Sequence, residues 1–291
     1  MNFIDLHTDT PLKILRAETP AANFKEQKFC RYFQNMAVWI NDSDTDPKNT
    51  YDKTVNALKE YLICNNIPIS IPKNQVESGA FISVENGGFL ADNPDYLEKM
   101  VGDGVKLISL SWNGQNDLVG GSGSNGELTD KGKEIIKRIN SYGLALDISH
   151  LNDMSAKQAI ELADSPMATH SNCGAVCDHP RNLSDERLLQ LKQKGGIVGL
   201  CFYPLFLGEG DVFVSLLKNI QHLLSLGMEK NIAIGSDFDG AQMSEKLKTT
   251  AEVSDLYEFL CKKGLEKSLL EGIFYKNALA FFDRICNNIK K

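Results

Sequence analysis

The chain has 291 residues, 42% hydrophobic and 24% charged, the proportions of an ordinary soluble globular protein. With 31 basic and 38 acidic residues the formal net charge is −7, which leaves no electrostatic footprint for nucleic acid or an anionic membrane. No apolar run approaches the roughly 18 residues of a membrane span, and the start, Met1-Asn-Phe-Ile-Asp, lacks the basic and apolar regions of a secretory signal. Seven scattered cysteines, an odd number, do not form a disulfide framework, so the expected compartment is the cytoplasm.

In chain order, a short apolar run at 2–7 predicts the first strand, and similar runs follow at 36–41, 80–85, 105–111, 144–149, 166–169, 196–202 and 231–236. Most are nearly continuous in Val, Ile, Leu, Ala and Gly, as strands buried on both faces are. Helix-like stretches lie between them, most clearly at 51–65, 129–142, 153–163, 184–194, 211–226 and 253–263. Asn152 or Asp153 is placed to cap the third of these, and Ser184 with Asp185 to start the fourth. Strand alternating with helix eight times predicts an α/β fold, a (β/α)8 or TIM barrel, as one domain over 1–291. A last helical segment near 266–287 is expected to pack outside it. The glycine-rich stretch 120–126 lacks the Lys-Ser/Thr ending of a phosphate loop and reads as a mobile loop over the site.

Active sites of such barrels lie at the C-terminal ends of the strands. The candidate ligands fall there: His7 and Asp9 after the first strand, Glu85 after the third, His150 after the fifth, His170 after the sixth, and Asp237 and Asp239 after the eighth. His7 and Asp9 are two apart and share a face if the strand is regular. Imidazoles and carboxylates gathered this way suit a divalent metal, zinc above all. Three histidines and three acids exceed the needs of one ion and suggest two, about 3.5 Å apart, sharing a carboxylate and a hydroxide. Glu85 is the natural bridge, because it comes from between the first-strand ligands and those of the fifth and sixth. Asp237 is then free to hold and move the proton of the attacking water. Asp239 has the same side-chain parity and competes for that role.

These residues bring the chain to a known family. It resembles the renal (membrane) dipeptidase family of zinc peptidases along nearly its whole length. The matching pieces are Ile4-Asp-Leu-His-Thr-Asp9, Ile82-Ser-Val-Glu-Asn-Gly-Gly88, Leu146-Asp-Ile-Ser-His150, Thr169-His-Ser-Asn172, Arg181-Asn182 and Gly235-Ser-Asp-Phe-Asp-Gly240. The resemblance implies a (β/α)8 barrel, two zinc ions per chain held by His7, Asp9, His150 and His170 with Glu85 bridging, and Asp237 as the proton-handling acid. It also implies that Arg181 holds the C-terminal carboxylate of a dipeptide, a task that suits the planar guanidinium fork. Asn182 beside it, Tyr203 after the seventh strand and Trp112 are further candidate substrate contacts. The family's tolerance of a C-terminal D-residue extends the expected substrates to D-containing dipeptides. A homodimer is compatible with this reading.

At one place the chain departs from the mammalian pattern. Where those enzymes carry a histidine after the fourth strand, Trp112 stands; its indole donates one hydrogen bond and accepts no proton. Asn113, Gln115 or Asn116 is then placed to supply the oxyanion contact. The rivals are a binuclear amidohydrolase-type barrel acting on another bond and a non-catalytic barrel that binds metal or peptide. Many amidohydrolases bridge their metals with a carboxylated lysine ending the fourth strand, but the lysine here, Lys106, begins it. A thiolate site at Cys173 and Cys177 near His170 fits less well than reduced thiols. His179 and His222 read as a flanking loop residue and a helix-surface residue.

Overall fold

Eight parallel strands and their connecting helices form the computed structural model, which describes residues 1–25, 28–73 and 78–288. In chain order the elements are β1 (Asn2–Thr8), α1 (Thr10–Leu15), β2 (Arg31–Trp39), α2 (Pro47–Cys64), β3 (Ser78–Glu85), α3 (Tyr96–Asp103) and β4 (Val105–Ser109). There follow α4 (Asp130–Ser141), β5 (Ala145–Asp147), α5 (Asp153–Leu162), β6 (Pro166–Met167), α6 (Asp185–Gln193) and β7 (Val198–Leu200). The chain continues through α7 (Pro204–Leu207), α8 (Val212–Ser225), β8 (Ile232–Ile234), α9 (Val253–Lys262), α10 (Lys267–Glu271) and α11 (Asn277–Asn288).

The hydrogen-bonded order β6-β5-β4-β3-β2-β1-β8-β7 closes into a (β/α)8 barrel through Ala168, which extends β6 and pairs with Val198. Ala168 N donates to Ile197 O at 2.9 Å, and Gly199 N donates to Ala168 O at 2.8 Å. A β-carbon on Gly199 or Gly235 would lie 1.9 or 1.7 Å from the Thr169 carbonyl oxygen. Only glycine lets β7 and β8 come this close to the end of β6.

Side-chain caps begin the helices behind the strands. Thr129 accepts from Gly132 N, Asn152 from Ser155 N and Ser184 from Arg187 N, while Asp211 accepts from Phe213 N and Val214 N. Each such cap contributes about 1 kcal/mol. Asn152 rather than Asp153 is thus the cap of α5.

β2 begins at Arg31, five residues before the expected strand, and carries the buried polar pair Gln34 and Asn35. Gln34 Nε2 donates to Thr8 Oγ1 and Thr10 Oγ1, and Asn35 Nδ2 to Leu6 O. β1 and the start of α1 take amide protons from both side chains, which eases their burial in a strand.

One apolar cluster fills the layer between barrel and helices, and a second fills the barrel itself. The inner cluster takes Ile4, Leu6, Phe33, Phe81, Leu107, Ala145, Met167 and Ala233 from strands and Ile197 from just before β7. Ile71, Tyr275, Ala278, Leu279, Phe281, Phe282 and Ile285 complete it. The C-terminal segment, expected outside the barrel, therefore stoppers it at the strand starts, with the rings of Phe282 and Phe81 at 4.9 Å. The opposite end is left to the site. Among the described residues no helix is long and apolar enough to cross a membrane.

Candidate metal centre

β1 and β2 shift register between Asp5 and Thr8, where His7 leaves the regular ladder. Such irregularities re-aim a side chain. His7 Nε2 comes to 3.5 Å from both Asp9 Oδ2 and Glu85 Oε2. The other Glu85 oxygen, Oε1, lies 2.5 Å from His150 Nε2 and 3.9 Å from His170 Nε2. Glu85, at the end of β3, thus faces one imidazole with one oxygen and two with the other. Donor atoms of His7, Glu85 and His170 lie within 4.8 Å of one another, as do those of His7, Asp9 and Asp237. All six side chains are buried. The fold brings these six candidate residues together, and leaves Asp239 outside the cluster.

The ring protons test whether a cation fits. His150 Nδ1 lies 3.1 Å from Asn113 Oδ1, which can only accept, so its proton sits on Nδ1 and its Nε2 is bare in the neutral ring. His170 Nδ1 lies 2.8 Å from Thr169 Oγ1, whose own proton goes to Asp147 Oδ2 at 2.6 Å, so His170 Nε2 is bare as well. Two lone pairs therefore face each other at 3.0 Å, beside a carboxylate oxygen, and in this metal-free arrangement Arg181 Nη2 donates toward both. His7 Nε2 is buried with no hydrogen-bond partner. More acceptors than protons converge here, as a divalent cation requires.

The electrostatics agree. Burial, then the charge of Arg181, pushes His150 down to about 4, and burial with the His7 and Arg181 charges pushes His170 well below the usual range. Neutral imidazole is the form that ligates. Burial opposes protonation of His7 too, but the facing Glu85 and Asp9 carboxylates outweigh it and raise its pKa well above the ordinary value. That proton stands in for the positive charge the acids call for. Burial, then the Asp9 carboxylate, pushes Asp237 up to about 8.

Asp237 and Asp239 both take positive φ, at 66° and 72°. Such values outside glycine recur at functional sites. A β-carbon on Gly240 would lie 2.0 Å from Asp9 Oδ2 and 2.7 Å from Asp237 Oδ1, so glycine there makes room for both carboxylates. Asp239 is spent elsewhere, accepting from Thr10 Oγ1, Ala21 N and Ala22 N.

A cavity of about 670 Å³ opens above these groups. Arg181 is buried in its lining, with Nη2 at 2.8 and 3.1 Å from His170 and His150 Nε2 and Nη1 without a partner. Its guanidinium lies over the Phe206 ring at 5.3 Å. Tyr203 and Phe206 form one wall; Trp112 and Trp39 form another, edge to face at 5.3 Å.

Asn182 does not line this cavity; its Nδ2 donates to the Cys177 and Phe206 carbonyls and so ties loops together. Asn113 orients His150, Asn116 is bound to Leu110 O, Leu118 N and Val119 N, and Gln115 is exposed. The stretch 120–126 is pinned rather than loose. Ser122 N donates to His150 O, Gly123 N to Asn113 O, and Asn152 Nδ2 to Ser124 O and Gly126 O. His179 flanks Arg181, accepting from its backbone N–H, and His222 pairs with Asp185. Among the described residues no metal-holding group includes a cysteine, and Cys173 and Cys177 are free thiols.

The reading of the sequence missed the residues behind the imidazoles. Asp147 accepts from Ser149 Oγ, Thr169 N and Thr169 Oγ1, and Asp5 accepts from His7 N, Ser236 N and Ser236 Oγ. Asp5 stands two residues before His7 and Asp147 three before His150, a spacing that could have flagged both.

A family model described as membrane dipeptidase (peptidase family M19) matches residues 65–291, a span that holds Glu85, His150, His170, Arg181 and Asp237 and leaves His7 and Asp9 before it. A Klebsiella pneumoniae protein named for the pqqA 5′ region is 32% identical over 220 residues, covering 70% of this chain and 79% of that protein. A Schizosaccharomyces pombe protein named as an uncharacterized dipeptidase is 30% identical over 217 residues, covering 71% of this chain and 53% of its own. This chain thus spans about half the length of that relative. Among solved structures, a dipeptidase described as a metallopeptidase of family M19 superposes with a TM-score of 0.87 at 20% identity, over 98% of both chains. A Rhodobacter sphaeroides metallopeptidase, bound to a phosphinate mimic of the dipeptide L-Ala-D-Ala, superposes with a TM-score of 0.85 at 20% identity, over 98% of this chain and 99% of that one. On its sequence, over more than three quarters of its length, the chain belongs to the membrane dipeptidase family, peptidase family M19.

Proposed function

We propose that the protein is a binuclear zinc dipeptidase that hydrolyses the peptide bond of dipeptides, including those with a C-terminal D-residue. The observation that carries this reading is the division of Glu85, with Oε2 toward His7 and Oε1 toward His150 and His170. In this reading His7, Asp9 and Glu85 hold one ion, and Glu85, His150 and His170 the other. When bound, two zinc ions supply a Lewis acid for the scissile carbonyl and ionise a water at neutral pH.

The remaining work falls to side chains. Arg181, buried with Nη1 unpartnered, takes the free C-terminal carboxylate by charge-assisted hydrogen bonds. Asp237, raised by burial and by Asp9, holds a proton on its carboxyl oxygen and delivers it to the leaving amine nitrogen. Tyr203 and Phe206 on one side and Trp39 and Trp112 on the other keep bulk water from the bond. Free thiols at all seven cysteines accord with a reducing compartment. The D-residue extends to this chain from the Rhodobacter relative's dipeptide mimic.

A hydrolysis screen over L,L and L,D dipeptides, with and without added zinc, tests the proposal. Zinc-dependent release of free amino acids is the expected result. Zinc binding with no turnover on any dipeptide would instead favour a non-catalytic binder.

A further inference from the structure

Thr169, just past the end of β6, carries no metal-ligating atom, yet its hydroxyl lies among the rings. Oγ1 is 2.8 Å from His170 Nδ1 and 3.3 Å from His7 Nδ1. It is also 2.6 Å from Asp147 Oδ2, a carboxylate oxygen that can only accept. A hydroxyl has one proton and two lone pairs. The proton goes to Asp147, so both lone pairs are left for the two imidazoles. The neighbouring Ser149 Oγ, at 3.2 Å, does not compete, because its own proton goes to Asp147 Oδ1 at 2.6 Å and it accepts from His170 N at 3.1 Å. Each ring therefore presents an Nδ1–H to Thr169 and its Nε2 to the cluster.

His7 Nε2 faces Glu85 Oε2 and His170 Nε2 faces Glu85 Oε1, with the two ring centroids 3.7 Å apart. We infer that Thr169 is a positioning residue common to both metal sites: one hydroxyl, itself oriented by Asp147, sets the tautomer and ring angle of one ligand of each ion. The inference rests on the binuclear reading above. It also accounts for the backbone around Thr169. The glycines at 199 and 235, whose β-carbons would meet the Thr169 carbonyl, let the strands close tightly enough for one hydroxyl to reach histidines from β1 and β6. Thr169, Asp147, His7 and His170 are all buried, so water does not replace the hydroxyl. Serving two rings, Thr169 couples the sites: loosening it weakens both together, whereas loosening Asn113, which bonds His150 and neither of the other two imidazoles, weakens one.

The experiment compares the full-length wild type with Thr169→Val, which keeps the shape and removes the hydroxyl, and Thr169→Ser, which restores it. Zinc affinity and stoichiometry are read by competition with a chromophoric chelator, and imidazole tautomers by ¹⁵N NMR of the metal-free protein. The expected result is a 10- to 100-fold weakening of both zinc sites in Thr169→Val, recovery to within about threefold in Thr169→Ser, and, in the wild type, an Nδ1–H tautomer at His170 and a protonated Nδ1 at His7. Weakening of one site alone, or unchanged affinity at both, overturns the shared role. If Thr169→Val does not fold, the wild-type spectrum decides, since an Nε2–H tautomer at His170 overturns the inference. A wild type that binds a single zinc ion would sink the binuclear reading itself, a failure visible before any variant is made.

Discussion

Asp237 and Asp239 lie two residues apart, both with left-handed backbone, yet only Asp237 lines the cavity; Asp239 is held by Thr10, Ala21 and Ala22. Asparagine tolerates positive φ as well as aspartate does, so an amide at either position tests chemistry without forcing the backbone. Asp237→Asn is expected to keep the fold and lose at least about a hundredfold in kcat, the usual worth of a general acid–base group. Asp239→Asn is expected to keep most activity and lose about 1–3 kcal/mol of stability, because an amide cannot accept all three of the present hydrogen bonds. Parallel kinetics and melting curves check both; the reverse pattern would assign the proton to Asp239.

Replacing Glu85 by Gln leaves one carbonyl oxygen where two carboxylate oxygens now face His7 and the His150–His170 pair. Elemental analysis of protein loaded at neutral pH is expected to fall from two zinc ions per chain to one or fewer. A wild type that takes only one, with Glu85→Gln unchanged, would end the bridging assignment.

Arg181→Ala is expected to raise KM or lower kcat/KM for dipeptides by about 10- to 100-fold, the equivalent of a charge-assisted contact of roughly 1.5–3 kcal/mol. Metal content should not fall, because the guanidinium nitrogens now lie beside His150 and His170 Nε2 and their removal frees those atoms. The sharper control is the substrate. If the wild type cleaves C-terminally amidated dipeptides as well as free ones, Arg181 does not read the carboxylate.

The barrel stopper gives a stability prediction remote from the chemistry. Phe282 is 1% exposed and packs edge to face on Phe81 inside the barrel. Phe282→Ala should cost about 3–5 kcal/mol, since the rigid strand ends cannot collapse into the space. Chemical denaturation measures this. Zinc affinity measured on the folded variant should stay near that of the wild type; a parallel loss of affinity would mean the stopper also shapes the site.

The ordered candidate residues could be read from the chain because each follows a short apolar run, and the barrel turns the end of every run toward one rim. His7, Asp9, Glu85, His150, His170 and Asp237 needed no knowledge of distant partners, only of where strands stop. The strand-helix alternation was equally readable, and the caps at Asn152 and Ser184 are local hydrogen bonds within three residues. Tertiary structure decided what depends on groups far apart in the chain. Thr169 serves His7 from 162 residues away, and Asp239 is consumed by Ala21 from 218 away. The start of β2 was hidden because Gln34 and Asn35 look unsuited to a buried strand until Thr8, Thr10 and Leu6 take their hydrogen bonds. Glycines at 120–126 suggest freedom, yet Asn152, His150 and Asn113 hold that loop still. Periodicity and composition report what one segment prefers; a hydrogen bond across the barrel depends on two segments, and only the closed fold pairs them.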